Sequence, residues 1–181
     1  MMNNLFFIRF NEKATLQLTF DPTEITNSHL ITATFSNDLL LLLRRKKLHQ
    51  EFNVDEVVHV FTTISNVVES YVIETDGMIT DFCSFYHLPS TVIGHTEYSK
   101  LNAVYSYYNI ATTVPLTELM NDALILAKNS NADVYNCLDL CDNKQVLEPL
   151  LFGAGDGNLH YYVFNWKCPQ LEPPEVGLVL L

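Results

Sequence analysis

Leu151-Phe152-Gly153-Ala154-Gly155-Asp156-Gly157 runs into Asn158-Leu159-His160-Tyr161-Tyr162-Val163-Phe164-Asn165-Trp166, and the chain closes on Val176-Gly177-Leu178-Val179-Leu180-Leu181. Three alternating glycines mark a turn that side chains would obstruct, with one carboxylate, Asp156, at its centre. The aromatic run from Leu159 to Trp166 then reads as a long strand. The final apolar run reaches the last residue and draws the α-carboxylate of Leu181 inward with it. A carboxylate in an apolar site needs a cationic partner or takes a raised pKa, and that tension marks a candidate functional group. A frayed last strand with its carboxylate in solvent is the other reading of the same pattern.

Working upstream, Lys144 to Leu151 reads as a helix and Val134 to Leu138 as a short buried strand. Leu116, Leu119, Met120, Ala123, Leu124 and Ala127 form the apolar stripe of a helix that starts at Thr113 or Pro115 and stops by Asn129 to Asn131. Ala103 to Ile110 reads as a strand whose alternation places Tyr105 and Tyr107 on one face and Tyr108 on the other. Val67 to Glu74 and Met78 to Tyr86 flank Thr75-Asp76-Gly77, a hairpin signal, and Val54 to Phe61 reads as a helix capped by Asn53. Another helix runs from Asp38 through Leu39 to Leu43 into Arg44-Arg45-Lys46-Lys47, a basic run that reads as a solvated face, with phosphate binding the alternative. The order β-β-β-α-β-α-β-β predicts an α/β fold, a mixed sheet flanked by helices. Residues 1 to 37, including the strand-like Thr15 to Phe20, receive no role.

The 181 residues suit one domain, and 48% hydrophobic content with 12% aromatic supplies its core. A formal charge of -11 repels nucleic acid and anionic membrane and favours basic partners. Cys83, Cys137, Cys141 and Cys168 form no Cys-x-x-Cys pair, so neither zinc nor a disulfide framework is indicated. Leu39 to Leu43 is too short to span a bilayer and the N-terminus has no signal-peptide pattern, so a cytoplasmic protein is expected.

The glycine turn fails as a phosphate loop. Asn158 holds the place of a dinucleotide fingerprint's third glycine, a strand follows instead of a helix, and no P-loop lysine is present. Asp156 suits an ammonium better than a phosphate, which points to a peptide lysine or an amine; a merely structural turn stays open. No Gly-x-Ser-x-Gly or His-Glu-x-x-His occurs, and the six histidines are scattered.

Phe152-Gly153-Ala154-Gly155-Asp156-Gly157 and the terminal Val176 to Leu181, with Thr80 to Ser90, Ala103 to Asn109 and Pro115 to Lys128, resemble the glycylpeptide N-tetradecanoyltransferases, the protein N-myristoyltransferases. The resemblance covers roughly residues 40 to 181, with Leu151 departing from the family's usual lysine. It implies a GCN5-related acetyltransferase-like mixed sheet and only the second, peptide-binding half of the family's architecture, here residues 38–181. It further implies transfer of myristate from myristoyl-CoA, an acyl-donor substrate rather than a cofactor, to an N-terminal glycine amine. The chain-terminal carboxylate of Leu181 falls where the family has its catalytic base, with Leu178 to Leu180 keeping it dry. Asp156 falls where the family pairs with a downstream peptide lysine. Ser90, Tyr105, Gly157, Leu159 and Leu180 fall on the peptide groove. Because the acyl-CoA half has no counterpart in this sequence, the alternative is a catalytically incomplete peptide-binding module.

Overall fold

The computed structural model describes residues 2–10, 25–27, 40, 41 and 43–179. Eleven strands fall among them: β1 (Met2–Arg9), β2 (Ile25–Asn27), β3 (Leu48–His49), β4 (Val68–Thr75), β5 (Met78–His87), β6 (Ser90–Thr91), β7 (Lys100–Leu101), β8 (Ala103–Ile110), β9 (Val134–Leu138), β10 (Gly153–His160) and β11 (Val176–Gly177). The helices are α1 (Val54–Phe61), α2 (Leu116–Asn129) and the single turn α3 (Lys144–Leu147). Residues 40, 41, 43 and 44 are also helical.

Seven strands form one mixed sheet in the order β10-β1-β9-β8-β5-β4-β2. Within this sheet, among the described residues, only β8 and β9 pair in parallel, and they are joined through α2, as a parallel pair requires a crossover. The β4–β5 hairpin turns on Asp76 and Gly77, both at positive φ, the conformation that a two-residue hairpin of matching twist needs. Asn53 caps α1 in a reciprocal capping box with Glu56. A buried carboxylate sets the entry to α2: Asp81 accepts the amides of Thr112 at 2.7 Å and Thr113 at 2.9 Å. Burial pushes that carboxyl's pKa up, but the Thr113 and Thr80 hydroxyls and these amides outweigh it and hold the pKa below its ordinary value.

Two apolar layers cover the sheet. On one side, α2 and α3 bring Met120, Leu124, Val146 and Leu147 onto Phe85, Val104 and Tyr135. On the other, α1 and the C-terminal tail bring Val57, Phe61, Val176 and Val179 onto Phe82, Tyr107 and Tyr108. The tail is fixed by β11, which pairs in parallel with β3, and by Lys47, whose amide donates to the Glu175 carbonyl at 2.8 Å, while the Lys46 ammonium lies 3.1 Å from Asp142. Lys46 and Lys47, from the basic run expected as a solvated face, therefore both hold ion pairs, Lys47 with Glu175.

Three local expectations change. The glycine stretch is not a turn but the first half of β10, so the strand expected at Leu159 to Trp166 lies instead at Gly153–His160. Residues 2–9, part of the segment left without a role, form β1 inside the sheet, between β9 and β10. The strand-like Thr15 to Phe20 lies outside the described residues.

Candidate functional site

Along β1, side chains alternate between the faces of the sheet. Phe6 and Ile8 join the α2-side core, which leaves Leu5, Phe7 and Arg9 on the opposite face. There β10 bulges against β1. The register steps from Asn4 opposite Asn158 to Phe6 opposite Ala154, so Gly155, Asp156 and Gly157 together face Leu5. This explains the glycines without any phosphate. A Cβ on Gly155 would stand 3.0 Å from the Leu5 carbonyl oxygen, so tight that β1 would have to give way by a few tenths of an ångström.

A second bulge lies in β8. Cys83 pairs with Asn109 but Phe85 pairs with Ser106, so Tyr107 and Tyr108 together oppose Ser84. The buried Ser84 hydroxyl stitches the irregularity, donating to the Tyr108 carbonyl at 2.8 Å and accepting the Tyr108 amide at 3.0 Å. The bulge breaks the period of two and corrects the expectation that Tyr108 faces away from Tyr107: both rings lie in the α1-side core, 4.7 Å apart. Tyr105 instead stacks on Tyr86 at 5.3 Å and 14°.

These irregular strands leave two adjoining cavities. The larger, about 480 Å³, is lined by Leu5, Phe7, Arg9, Ser90, Tyr105 and Asp156, with Asp133 on its rim. The smaller, about 260 Å³, is lined by Leu5, Tyr86, Tyr105, Leu138, Gly157 and Leu159. Leu5 and Tyr105 belong to both. Of the seven residues singled out from the sequence, Ser90, Tyr105, Asp156, Gly157 and Leu159 thus line this pair of neighbouring pockets, called the groove below. The other two, Leu180 and Leu181, lie outside the described residues.

The tail runs toward this groove. Val176 is fully buried and Val179 is 6% exposed, and both share an apolar cluster with Leu178, Tyr161 and two groove residues, Tyr86 and Leu138. Burial pushes the Tyr86 phenol up to about 12, with the nearby Tyr105 phenol adding to the rise, so it enters neutral-pH chemistry only as a hydrogen-bonding hydroxyl. The groove carries both signs of charge, two carboxylates and Arg9, whose guanidinium lies 5.4 Å from the centre of the Phe7 ring. Among the described residues no group of three or more His, Cys, Asp or Glu could hold a metal, and no helix is long and apolar enough to cross a membrane.

Sequence reasoning missed Leu5, Phe7 and Arg9. The apolar run Leu5 to Ile8 carried a strand signal, but nothing in the sequence said which strands it would join. It missed Tyr86 and Asp133 as well, which become groove residues only through the pairing of β5, β8 and β9.

Comparison with known proteins places this geometry. Residues 19–179 match the family model described as myristoyl-CoA:protein N-myristoyltransferase, C-terminal domain. The chain is 57% identical over 127 residues to glycylpeptide N-tetradecanoyltransferase 2 of Danio rerio, covering 70% of this chain and 26% of that protein. It is 48% identical over 139 residues to the glycylpeptide N-tetradecanoyltransferase of Plasmodium falciparum, covering 77% and 34%. It therefore spans between a quarter and about a third of the length of these relatives. The Saccharomyces cerevisiae N-myristoyltransferase with bound myristoyl-CoA superposes with a TM-score of 0.80 at 28% identity, over 99% of this chain and 54% of that one. A ribosomal-protein-alanine N-acetyltransferase from Brucella melitensis shares the fold at a TM-score of 0.51 and 19% identity, over 78% of this chain and 97% of that one, so the mixed sheet is of the acetyltransferase kind. The chain belongs to the myristoyl-CoA:protein N-myristoyltransferase family, matching its C-terminal domain.

Proposed function

We propose that this chain is the substrate-binding part of an enzyme that transfers myristate from myristoyl-CoA to the N-terminal glycine amine of proteins. The observation that carries the reading is convergence: five residues far apart in sequence, from Ser90 to Leu159, line one groove beside a buried tail. Residues 38–181 make up the peptide-binding domain in this reading, with β1 completing its sheet. Ser90, Tyr105, Gly157, Leu159 and Leu180 line the peptide, and Asp156 receives a lysine further along it.

The chemistry asks for a base. A free α-ammonium has a pKa of roughly 7.7 to 8.0 and must lose a proton before its nitrogen can attack. The carboxylate of Leu181 takes that proton and orients the amine. The nitrogen adds to the thioester carbonyl, the C–S bond breaks, and CoA leaves as the thiolate, which takes the second amine proton as the amide forms. The acyl donor is a substrate held by the other half of such an enzyme, no cofactor is needed, and the cytoplasm is the expected compartment. A second reading, a peptide-binding module without transfer, draws on the confinement of the family match to the C-terminal domain.

The test is binding and transfer with a labelled peptide that begins with Gly and carries a downstream Lys. Asp156→Asn is expected to weaken this peptide by about 1–3 kcal/mol, the scale of a charge-assisted hydrogen bond, and to spare a peptide with Ala in place of the Lys. Equal loss for both peptides contradicts the role of Asp156. Binding without transfer of labelled myristate selects the second reading.

A further inference from the structure

The last described residues are held group by group. The Glu175 carbonyl accepts the Lys47 amide at 2.8 Å, and the Val176 carbonyl accepts the Cys141 amide at 3.1 Å. Beyond β11 the sheet-like pairing ends, and two phenols take over. Tyr108 Oη donates to the Gly177 carbonyl at 3.4 Å and accepts the Val179 amide at 3.1 Å. Tyr161 Oη donates to the Leu178 carbonyl at 2.5 Å. Neither phenol lines the groove, and neither was a candidate from the sequence. Burial, reinforced by Cys141 and Tyr86, pushes Tyr161 up to about 12, so it stays a proton donor at neutral pH.

Gly177 and Val179 are buried, so their peptide groups need partners. What is particular here is that side-chain hydroxyls supply them where backbone pairing has ended. Here a buried hydroxyl on the bulge of β8 and a half-buried one just past the end of β10 meet two successive peptide units, Gly177–Leu178 and Leu178–Val179. One phenol sits on a bulged strand and the other directly follows one. The Ser84 stitch that turns Tyr108 inward therefore ties groove shape and tail direction to the same irregularity.

We infer that Tyr108 and Tyr161 are positioning residues: they clamp the backbone at Gly177 to Val179 and so aim the chain's terminal carboxylate at the amine of a peptide in the groove. The inference rests on the proposed function for the base itself, and adds the device that holds it. Nothing in it requires either phenol to touch substrate. Removing one hydroxyl frees the tail beyond Gly177 while the ring still fills its place in the core.

The experiment uses the 181-residue chain, Tyr108→Phe, Tyr161→Phe, the double variant and a chain lacking Leu181. Two readouts are taken: release of leucine by carboxypeptidase, and the pKa of a glycine-first peptide's 15N-labelled α-amine when bound. The wild-type chain is expected to release leucine slowly and to raise the bound amine's pKa above its free value, through the carboxylate beside it. Each Phe variant is expected to release leucine at least tenfold faster and to lose most of the pKa rise, while peptide affinity and thermal midpoint stay near wild type. Removal of Leu181 abolishes the rise.

Leucine release and amine pKa unchanged in the double variant overturn the clamp. Fast release from the wild-type chain overturns it too. A Phe variant that unfolds at lower temperature and loses peptide affinity in proportion shows a merely structural hydroxyl, which also counts against it. If the wild-type chain binds no glycine-first peptide, the proposed function fails; the leucine-release arm then still decides whether the clamp exists.

Discussion

On the α2 side of the sheet, Phe85, Val104, Met120 and Tyr135 are wholly buried in a filled core. On the opposite side the bulges of β8 and β10 bring neighbouring residues to one face, and two cavities open between Leu5, Tyr105 and Asp156. The first side is organised to be filled and the second to be occupied. A regular strand can only present every second side chain to a face, so a site needing neighbouring residues on one face has to break the pairing somewhere. Beside the groove it is broken in β8 and in β10, where a Ser hydroxyl and two glycines accommodate the breaks.

This contrast can be broken most severely on the filled side. Phe85→Ala removes a fully buried ring and is expected to cost about 3–5 kcal/mol in chemical denaturation, with peptide affinity of the folded fraction little changed. Gly155→Ala tests the other side. Its Cβ would meet the Leu5 carbonyl at 3.0 Å, so β1 and β10 must part. A loss of about 1–3 kcal/mol is expected, here with weaker peptide binding, because the groove wall itself moves. Comparable peptide affinity in both variants would erase the distinction between the faces.

A smaller effect depends on pH. The pKa of Asp81 is lowered in the folded chain, so its contribution to stability is complete above its unfolded value, about 3.9, and is lost as pH falls through the folded value. Unfolding curves of the wild-type chain and Asp81→Asn should converge below about pH 4 and differ at neutral pH. A gap of constant size across that range would show that the carboxylate's charge is not what anchors the loop before α2. Smallest is Leu151→Gly. Leu151 takes φ +59 after α3 and is 86% exposed, so glycine should relieve backbone strain and raise stability by about 0.5–1 kcal/mol without touching the groove.

How much of this was legible in the sequence follows from the same contrast. The Asp-Gly hairpin, the Asn53 cap and the stripe of α2 are local signals, and the structure places each where its residues point. The groove residues Ser90, Tyr105, Gly157 and Leu159 came through resemblance to a family, whereas Asp156 stood out already as the one carboxylate among the glycines. Periodicity misassigned Tyr108, because the bulge opposite Ser84 is set by a partner strand that no local pattern names. It read the glycines as a turn for the same reason: their lack of side chains answers to Leu5, about 150 residues away in the chain and visible only when β1 pairs with β10.

The most direct measurement is a titration of the 15N-labelled chain with an unlabelled peptide that begins with Gly and carries a downstream Lys, followed by amide chemical shifts. The account predicts perturbations gathered at Ser90, Tyr105, Gly155 to Leu159 and the tail around Val179, with α2 and α3 silent. Shifts confined to the α2 face, or none at millimolar peptide, would contradict it.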